Sequence, residues 1–493
     1  MNQALLSRSF PRLILLLTIP IATILFFWGT RANEVNLIQV LLAFGLIFLP
    51  WQAYLSWRRE GQPELPLFGM IALMYFLYYG VSLFWGDLTI TTDFAPRGQE
   101  MPSEALTEAL AMALFGVCCL GAGMRIGIGR SLTPRNLEAL TLKPGRISYV
   151  RLVLVVGSLI GFSDTSTYVL GQGGRQAFII FVSTIPLLAF AILFRNYLRG
   201  DARRIDKLLI AGFLGMRFLS GMSSGWLGVF TSILIICAAL YIAERKRIPR
   251  VALLVVVAFT LFFQVGKDDF RRVYWKDQGD SASRVERLQF WVDSSSSKWN
   301  EAIDDPSGET LKGALSPSVN RLSLLTQTAN VVDKTPSVVP YQYGELYSYM
   351  FITLIPRFIW PDKPSINDAN QYYQVAYGLT REENLEATSI AVGTLAEGYI
   401  SFGWAGALGI MFLLGIFFDF FQSTFLSRAS GQVLSALGIV LLPQFMTIES
   451  QLGQYVGGIV QQVLFTLLVM LPAMSLRRKV KRAPLPQWQY AEK

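Results

Sequence analysis

The sequence predicts an all-α integral membrane protein of about twelve transmembrane helices with one large, partly helical outer loop. Three observations carry that prediction. Apolar runs of about 18 to 22 residues recur along most of the chain, long enough to cross a hydrocarbon core of about 30 Å as helices. Of the 493 residues, 52% are hydrophobic and only 16% charged, with a mean hydropathy of +0.42; a soluble domain carries about 25% charged residues. Finally, Lys and Arg alternate between rich and poor connections, as expected when cytoplasmic loops retain positive charge.

Taken in order, the runs place spans near 11–29, 36–56, 66–86, 104–124, 147–163, 177–194, 208–220, 226–243 and 249–266, and three more near 403–422, 430–448 and 455–475. The first run follows Arg8 and Arg12, the pattern of a signal peptide, but 28–31 (Trp-Gly-Thr-Arg) is a poor cleavage site, so it reads as a retained helix. The basic connections hold Arg58 and Arg59; Arg125, Arg130, Arg135, Lys143 and Arg146; Arg195, Arg199, Arg203, Arg204 and Lys207; and Arg245, Lys246, Arg247 and Arg250. The run Arg477, Arg478, Lys479, Lys481 and Arg482 joins them. Connections 31–36, 87–103, 163–176 and 220–225 are poor in Lys and Arg.

Parity then decides the apolar stretch 347–360. A full crossing there would put the basic tail outside, and Pro356 with Arg357 interrupts it. It is therefore read as a re-entrant or interfacial helix on the outer face. Four regions follow: a nine-helix transmembrane region at 1–266, a large outer loop at 267–390, three transmembrane helices at 391–476 and a basic cytoplasmic tail at 477–493. Both termini are expected to be cytoplasmic. Within the loop, 294–297 and 304–308 read as turns or linkers, and 282–292 as a short amphipathic helix on the membrane surface.

Composition also excludes chemistry. The chain has no histidine, which removes His-dependent triads and His general bases. Its three cysteines all lie in apolar runs and suggest no disulfide framework. The net charge of +9 is a topology signal by its distribution, so no nucleic acid is expected as a partner. No Asp-x-Asp pair occurs, and no metal or other cofactor is expected.

Ionisable groups at membrane depth are costly, and each is a functional candidate. Arg217 precedes the small-residue segment 220–225, where a ligand could approach the backbone; snorkelling beside a tight hairpin is the competing reading. Arg151, near the inner end of its helix, reads as a snorkelling side chain. Lys267, Arg271 and Arg272 open the outer loop, and Arg357 and Lys363 lie in the proline-rigidified stretch 355–364. On an outer face such cations suit a phosphate or pyrophosphate held by charge-assisted hydrogen bonds, or they neutralise Asp268, Asp269 and Asp362 beside them. Glu397, at the outer entrance to the tenth span, is the sharpest single candidate. A desolvated carboxylate holds a proton more tightly, a nearby cation loosens it, and such a group can take a proton from a sugar hydroxyl. Its structural alternatives are a partner for Arg357 or a helix-end charge. Gly398, Gly403 and Gly406 suit close helix packing. Asp419 and Glu449 read as helix-end charges.

Together, Lys267-Asp-Asp-Phe-Arg271, Arg321-Leu-Ser-Leu-Leu325, Thr335-Pro-Ser-Val-Val-Pro340 with Tyr343-Gly344, the stretch 355–364 and Glu397-Gly-Tyr-Ile-Ser-Phe-Gly-Trp404 resemble the bacterial oligosaccharide repeat-unit polymerases, the O-antigen (Wzy-type) and exopolysaccharide enzymes. The specific similarity covers about 267–415 and 220–225. It implies a GT-C-like glycosyltransferase of the bacterial inner membrane. A glycan on undecaprenyl pyrophosphate would pass, without a metal, to the terminal sugar of a lipid-linked repeat unit at the periplasmic face. By position, Arg217, Lys267, Arg271, Arg357 and Lys363 would bind the pyrophosphate and stabilise the leaving group, Glu397 would activate the acceptor hydroxyl, and Arg321 and Arg272 would serve either substrate. The expected partners are the lipid-linked oligosaccharide, membrane lipids and a chain-length regulator. Three alternatives stay open, one of them a non-catalytic membrane subunit of an export machine, which would tolerate loss of Glu397 and Arg357. O-antigen ligases usually carry an outer-loop histidine that this chain lacks. A transporter or flippase would show internal repeats and interrupted helices with polar groups at the midplane, whereas this chain shows no repeat and places its polar residues in one outer loop.

Overall fold

The computed structural model describes residues 3–29, 34–60, 64–90, 98–134, 140–162, 172–225, 227–276, 283–305, 313, 319–320, 322–355, 360, 367–385, 390, 392–427 and 430–476. A helix lies at each of the twelve positions the apolar runs predicted. Six of the described helices are long and apolar enough to cross a membrane: Leu37–Arg59, Leu67–Trp85, Ser103–Ser131, Leu227–Arg245, Gly393–Phe425 and Tyr455–Ala473. Arg250–Val265 with Lys267–Tyr274 makes a seventh if that pair, bent by 54°, is one span. Leu16–Gly29, Ile147–Ile160 and Gln432–Met446 are shorter apolar helices.

Connections gather at two ends of the bundle. At one end Gln39 Nε2 donates to Thr107 Oγ1 (3.0 Å) and Asp87 N to Asn320 Oδ1 (2.7 Å). At the other, Arg195 reaches Glu64 and Ser435, and the short antiparallel strands Leu140–Leu142 and Met474–Leu476 pair. Arg130, Lys143, Arg195 and Arg199 all belong to this second end, the grouping that the alternation of charge predicts.

Glycines set the tightest packing. The helix Ser103–Arg125 lies against the long helix Gly393–Phe425 almost backbone to backbone. A Cβ on Gly123 would fall 2.2 Å from Phe412 O and 3.0 Å from Gly415 Cα. No side chain fits there, so small residues permit the van der Waals contact that drives helix association in lipid. The first helix, Gln3–Gly29, docks on this body through buried Ile24 and through Phe27, which stacks on Phe84.

The loop region differs from its sequence reading in two places. Residues 294–297 are not a turn; they lie inside a helix, Arg284–Asp304, that also extends the amphipathic helix expected at 282–292. Ser283 starts it with a capping box, accepting from Glu286 N while the Glu286 carboxylate accepts from Ser283 N. Nor does it stand alone. Trp291 is fully buried against Phe263 and Phe270, and its indole N–H donates to Phe263 O (2.9 Å); Trp299 donates to Phe262 O (3.2 Å). Those carbonyls end the helix Arg250–Val265, where the last turn has no intrahelical donors. Among the described residues of 347–360 there is a seven-residue helix, Ser348–Leu354, itself too short to span.

Candidate functional site

Gly393–Phe425 is two helices joined at a sharp break. Phe402 (φ −147°, ψ 26°) and Gly403 (φ 61°, ψ −146°) leave helical geometry, and Gly403 tolerates the positive φ. The halves fold back on one another: a Cβ on Gly398 would meet Gly406 O and Ala407 Cα, both at 2.8 Å. The close packing expected of Gly398 and Gly406 is therefore that of a helical hairpin.

The leading half carries Glu397, which is 1% exposed. Its Oε2 accepts from Leu452 N at 2.8 Å, and among the described residues its other carboxylate oxygen accepts no hydrogen bond. Thr394 Oγ1 donates to Ser450 O (2.8 Å), so this half is tied twice to the connection after Gln432–Met446. At its far end, the carbonyls of Ile400 and Ser401 accept from the backbone N–H groups of Gln342 (3.0 Å) and Tyr343 (3.1 Å). Tyr347 lies beside Ser401 and Glu397; burial pushes its phenol up to about 12, opposed by a hydrogen bond to Ser401 and reinforced by Glu397.

A second element closes the same region from within. The helix Leu325–Lys334 belongs to the outer loop by sequence, yet Leu325, Thr328, Ala329, Asn330 and Val331 have no exposed surface. It acts as a plug. Two of its polar side chains are matched by tyrosines: Tyr79 OH and Thr328 Oγ1 are 2.9 Å apart, and Tyr373 OH donates to Gln327 Oε1 (2.7 Å). Leu324 N donates to Tyr78 O, which sits in a π turn, Phe76–Val81, of the third span. Another π turn, Gly453–Gly457, follows directly on Leu452. Such turns interrupt regular helices and recur at functional sites.

The described cationic candidates do not share one setting. Lys267, Arg271 and Arg272 flank Phe270, which packs with Met222, Leu227, Phe263 and Trp291 in a smaller cluster, whereas Leu395, Ala396 and Ile400 around Glu397 belong to the main core. Arg217 sits over the Phe213 ring (5.3 Å) with no ion pair among the described residues. Arg272 lies 3.4 Å from Asp269, which also binds Lys298 (2.9 Å) and Ser294, so charge neutralisation accounts for part of this group. Arg321, Arg357 and Lys363 lie outside the described residues. Arg151 is not a snorkelling side chain: it holds Asp206 through two bonds of 2.7 and 3.1 Å. Asp419 accepts from Arg130 N (2.8 Å), in keeping with a helix-end role.

One buried cluster escaped the sequence reading. Arg195, 4% exposed, binds Glu64 (2.9 Å), Ser435 (2.6 Å) and Glu244, and Arg199 also pairs with Glu244 (2.8 Å). In sequence Arg195 looks like one more topology charge. The available signal was Glu64 and Glu244, two carboxylates in otherwise basic connections. Among the described residues, no three His, Cys, Asp or Glu side chains converge as a metal site.

The fold and this site define an α-helical protein with several helices long and apolar enough to cross a membrane and a broken helix that buries a carboxylate. Residues 117–429 match the family described as a domain of unknown function, DUF8712, and the chain belongs to that family. No curated protein and no solved structure matches it.

Proposed function

We propose that this chain is a repeat-unit polymerase of the bacterial inner membrane, a glycosyltransferase acting on undecaprenyl-pyrophosphate-linked oligosaccharides in O-antigen or exopolysaccharide synthesis. The observation that carries the reading is Glu397, a buried carboxylate with one oxygen fixed by Leu452 N–H and the other uncommitted among the described residues. A general base must be held in place and keep a lone pair free for the proton it takes. In the proposed reaction an acceptor sugar hydroxyl gives its proton to Glu397. Its oxygen bonds to the anomeric carbon of the growing glycan, and the bond from that carbon to the pyrophosphate breaks. Undecaprenyl pyrophosphate leaves with the electron pair, stabilised by cations drawn from Arg217, Lys267, Arg271, Arg272, Arg321, Arg357 and Lys363. The matching topology has about twelve spans, a periplasmic segment 267–390 and cytoplasmic termini.

A transporter of lipid-linked sugars is the second reading, and the break at Phe402–Gly403 favours it, since interrupted helices build many transporter sites. There, however, unwound carbonyls face a cavity and coordinate ions. Here Gln342 and Tyr343 N–H groups occupy the carbonyls of Ile400 and Ser401.

Purified protein given a defined lipid-linked repeat unit decides between them. A polymerase builds a ladder of products, and Glu397→Gln leaves single units. A wild-type protein that forms no polymer, in cells whose mutants hold repeat units facing inward, is a flippase instead. Site-specific labelling should reach Lys363 from outside; access only from the cytosol would overturn the topology.

A further inference from the structure

At the break of the hairpin, three aromatic side chains gather with no core role to explain two of them. The structure assigns to Tyr341, Tyr343 and Phe402 a binding subsite for a sugar ring of the glycan. The choice of glycan as ligand rests on the polymerase reading; the platform itself rests on geometry.

Tyr343 is the informative residue. Its φ of 46° lies in the left-handed region that a bulky side chain rarely adopts. Strain of this kind persists where surrounding contacts impose it, and it concentrates at ligand sites. The contacts here are its own N–H on Ser401 O (3.1 Å) and the following Gly344, at φ 88°, against which Phe402 packs. Yet the strained residue is 75% exposed, beside Phe402, which is 47% exposed. Their centroids are 6.3 Å apart at 69°, and Tyr341 stands 6.4 Å from Tyr343, also at 69°.

Rings held at angles with open faces suit a pyranose, whose C–H face is apolar and whose rim carries hydroxyls. The Glu345 carboxylate, exposed one turn along, accepts no hydrogen bond among the described residues and is available to that rim. A plain interfacial anchor would sit at the end of a spanning helix. Tyr341 and Tyr343 instead sit on a separate turn sealed to the half-helix of Glu397, the bond to Ser401 lying one helical turn from the carboxylate.

The test uses full-length protein in phosphatidylethanolamine–phosphatidylglycerol nanodiscs. The probe is the free oligosaccharide released by mild acid from the host's lipid-linked pool, and binding is read by saturation-transfer NMR. Saturation of the sugar C–H protons is expected. Tyr343→Gly, which removes the ring while suiting the backbone, should weaken binding roughly tenfold, whereas Tyr343→Phe retains it. Absence of transfer to wild type, or equal affinity in Tyr343→Gly, overturns the subsite, the second outcome leaving the rings as membrane anchors. Binding without polymerisation keeps the subsite and removes the polymerase reading; polymerisation with no binding does the reverse.

Discussion

Two regions of the molecule bury carboxylates, and they treat them in opposite ways. At the basic end, Glu64 and Glu244 surround Arg195, every partner supplied by protein, with Ser435 completing the set. In the hairpin, Glu397 is as deeply buried but holds only one N–H and meets no cation among the described residues. A buried charge is tolerated when paired and hydrogen-bonded. One left half-engaged in an apolar setting points to work that needs the free valence. Paired charge fixes a fold; spare valence marks a site.

Removing the centre of the paired cluster is the strongest way to break that contrast. Arg195→Met strands Glu64, leaves Glu244 to Arg199 alone, and is expected to cost about 3–5 kcal/mol, seen as a fall in thermal midpoint of the detergent-solubilised protein. Adding Glu64→Gln and Glu244→Gln should restore most of it. If Arg195→Met is neutral, the cluster is not a stabilising pair. A smaller effect is expected at the hairpin. Glu397→Gln keeps an acceptor for Leu452 N–H, so stability should change by less than about 1 kcal/mol while polymer formation is lost; Glu397→Leu, which orphans that N–H, should cost about 1–3 kcal/mol. Equal destabilisation by Gln and Leu would assign Glu397 a purely structural charge. The smallest effect concerns Lys334, whose ammonium donates to Tyr377 O (2.8 Å) and whose pKa burial pushes down. A folded-state pKa below the unfolded one means the unfolded chain binds the proton more tightly. Stability therefore rises with pH across the alkaline window between the two values. Lys334→Met should flatten that rise in alkaline denaturation curves.

The helices were legible because each is a long apolar run, and the grouping of Arg130, Lys143 and Arg195 at one end followed from charge alternation. The helix Arg284–Asp304 was half legible: Ser283 and Glu286 announce its start, but four successive serines at 294–297 read as a linker. They are helical because Ser295 lies against Gly266 and Ser294 binds Asp269, tertiary contacts that override weak propensity. The plug was illegible. Leu325–Lys334 alternates Thr, Gln and Asn with aliphatic residues, and its burial depends on hydroxyls from Tyr79 and Tyr373 far away in sequence. In the candidate site, Glu397 stood out by sequence as a lone carboxylate at an apolar boundary. Its bond to Leu452 and the fold-back at Phe402–Gly403 did not, because both depend on contacts that no local pattern encodes. Tyr343 was visible only as part of a Tyr-Gly pair.

The position of Leu325–Lys334 also governs how the chain can be cut. Excising 267–390 to obtain a minimal bundle would withdraw a strut from beside Tyr79, leaving its hydroxyl without a partner around a void. The helix is a keystone whose neighbours come from both sides of it in the sequence, Tyr79 before and Tyr373 after.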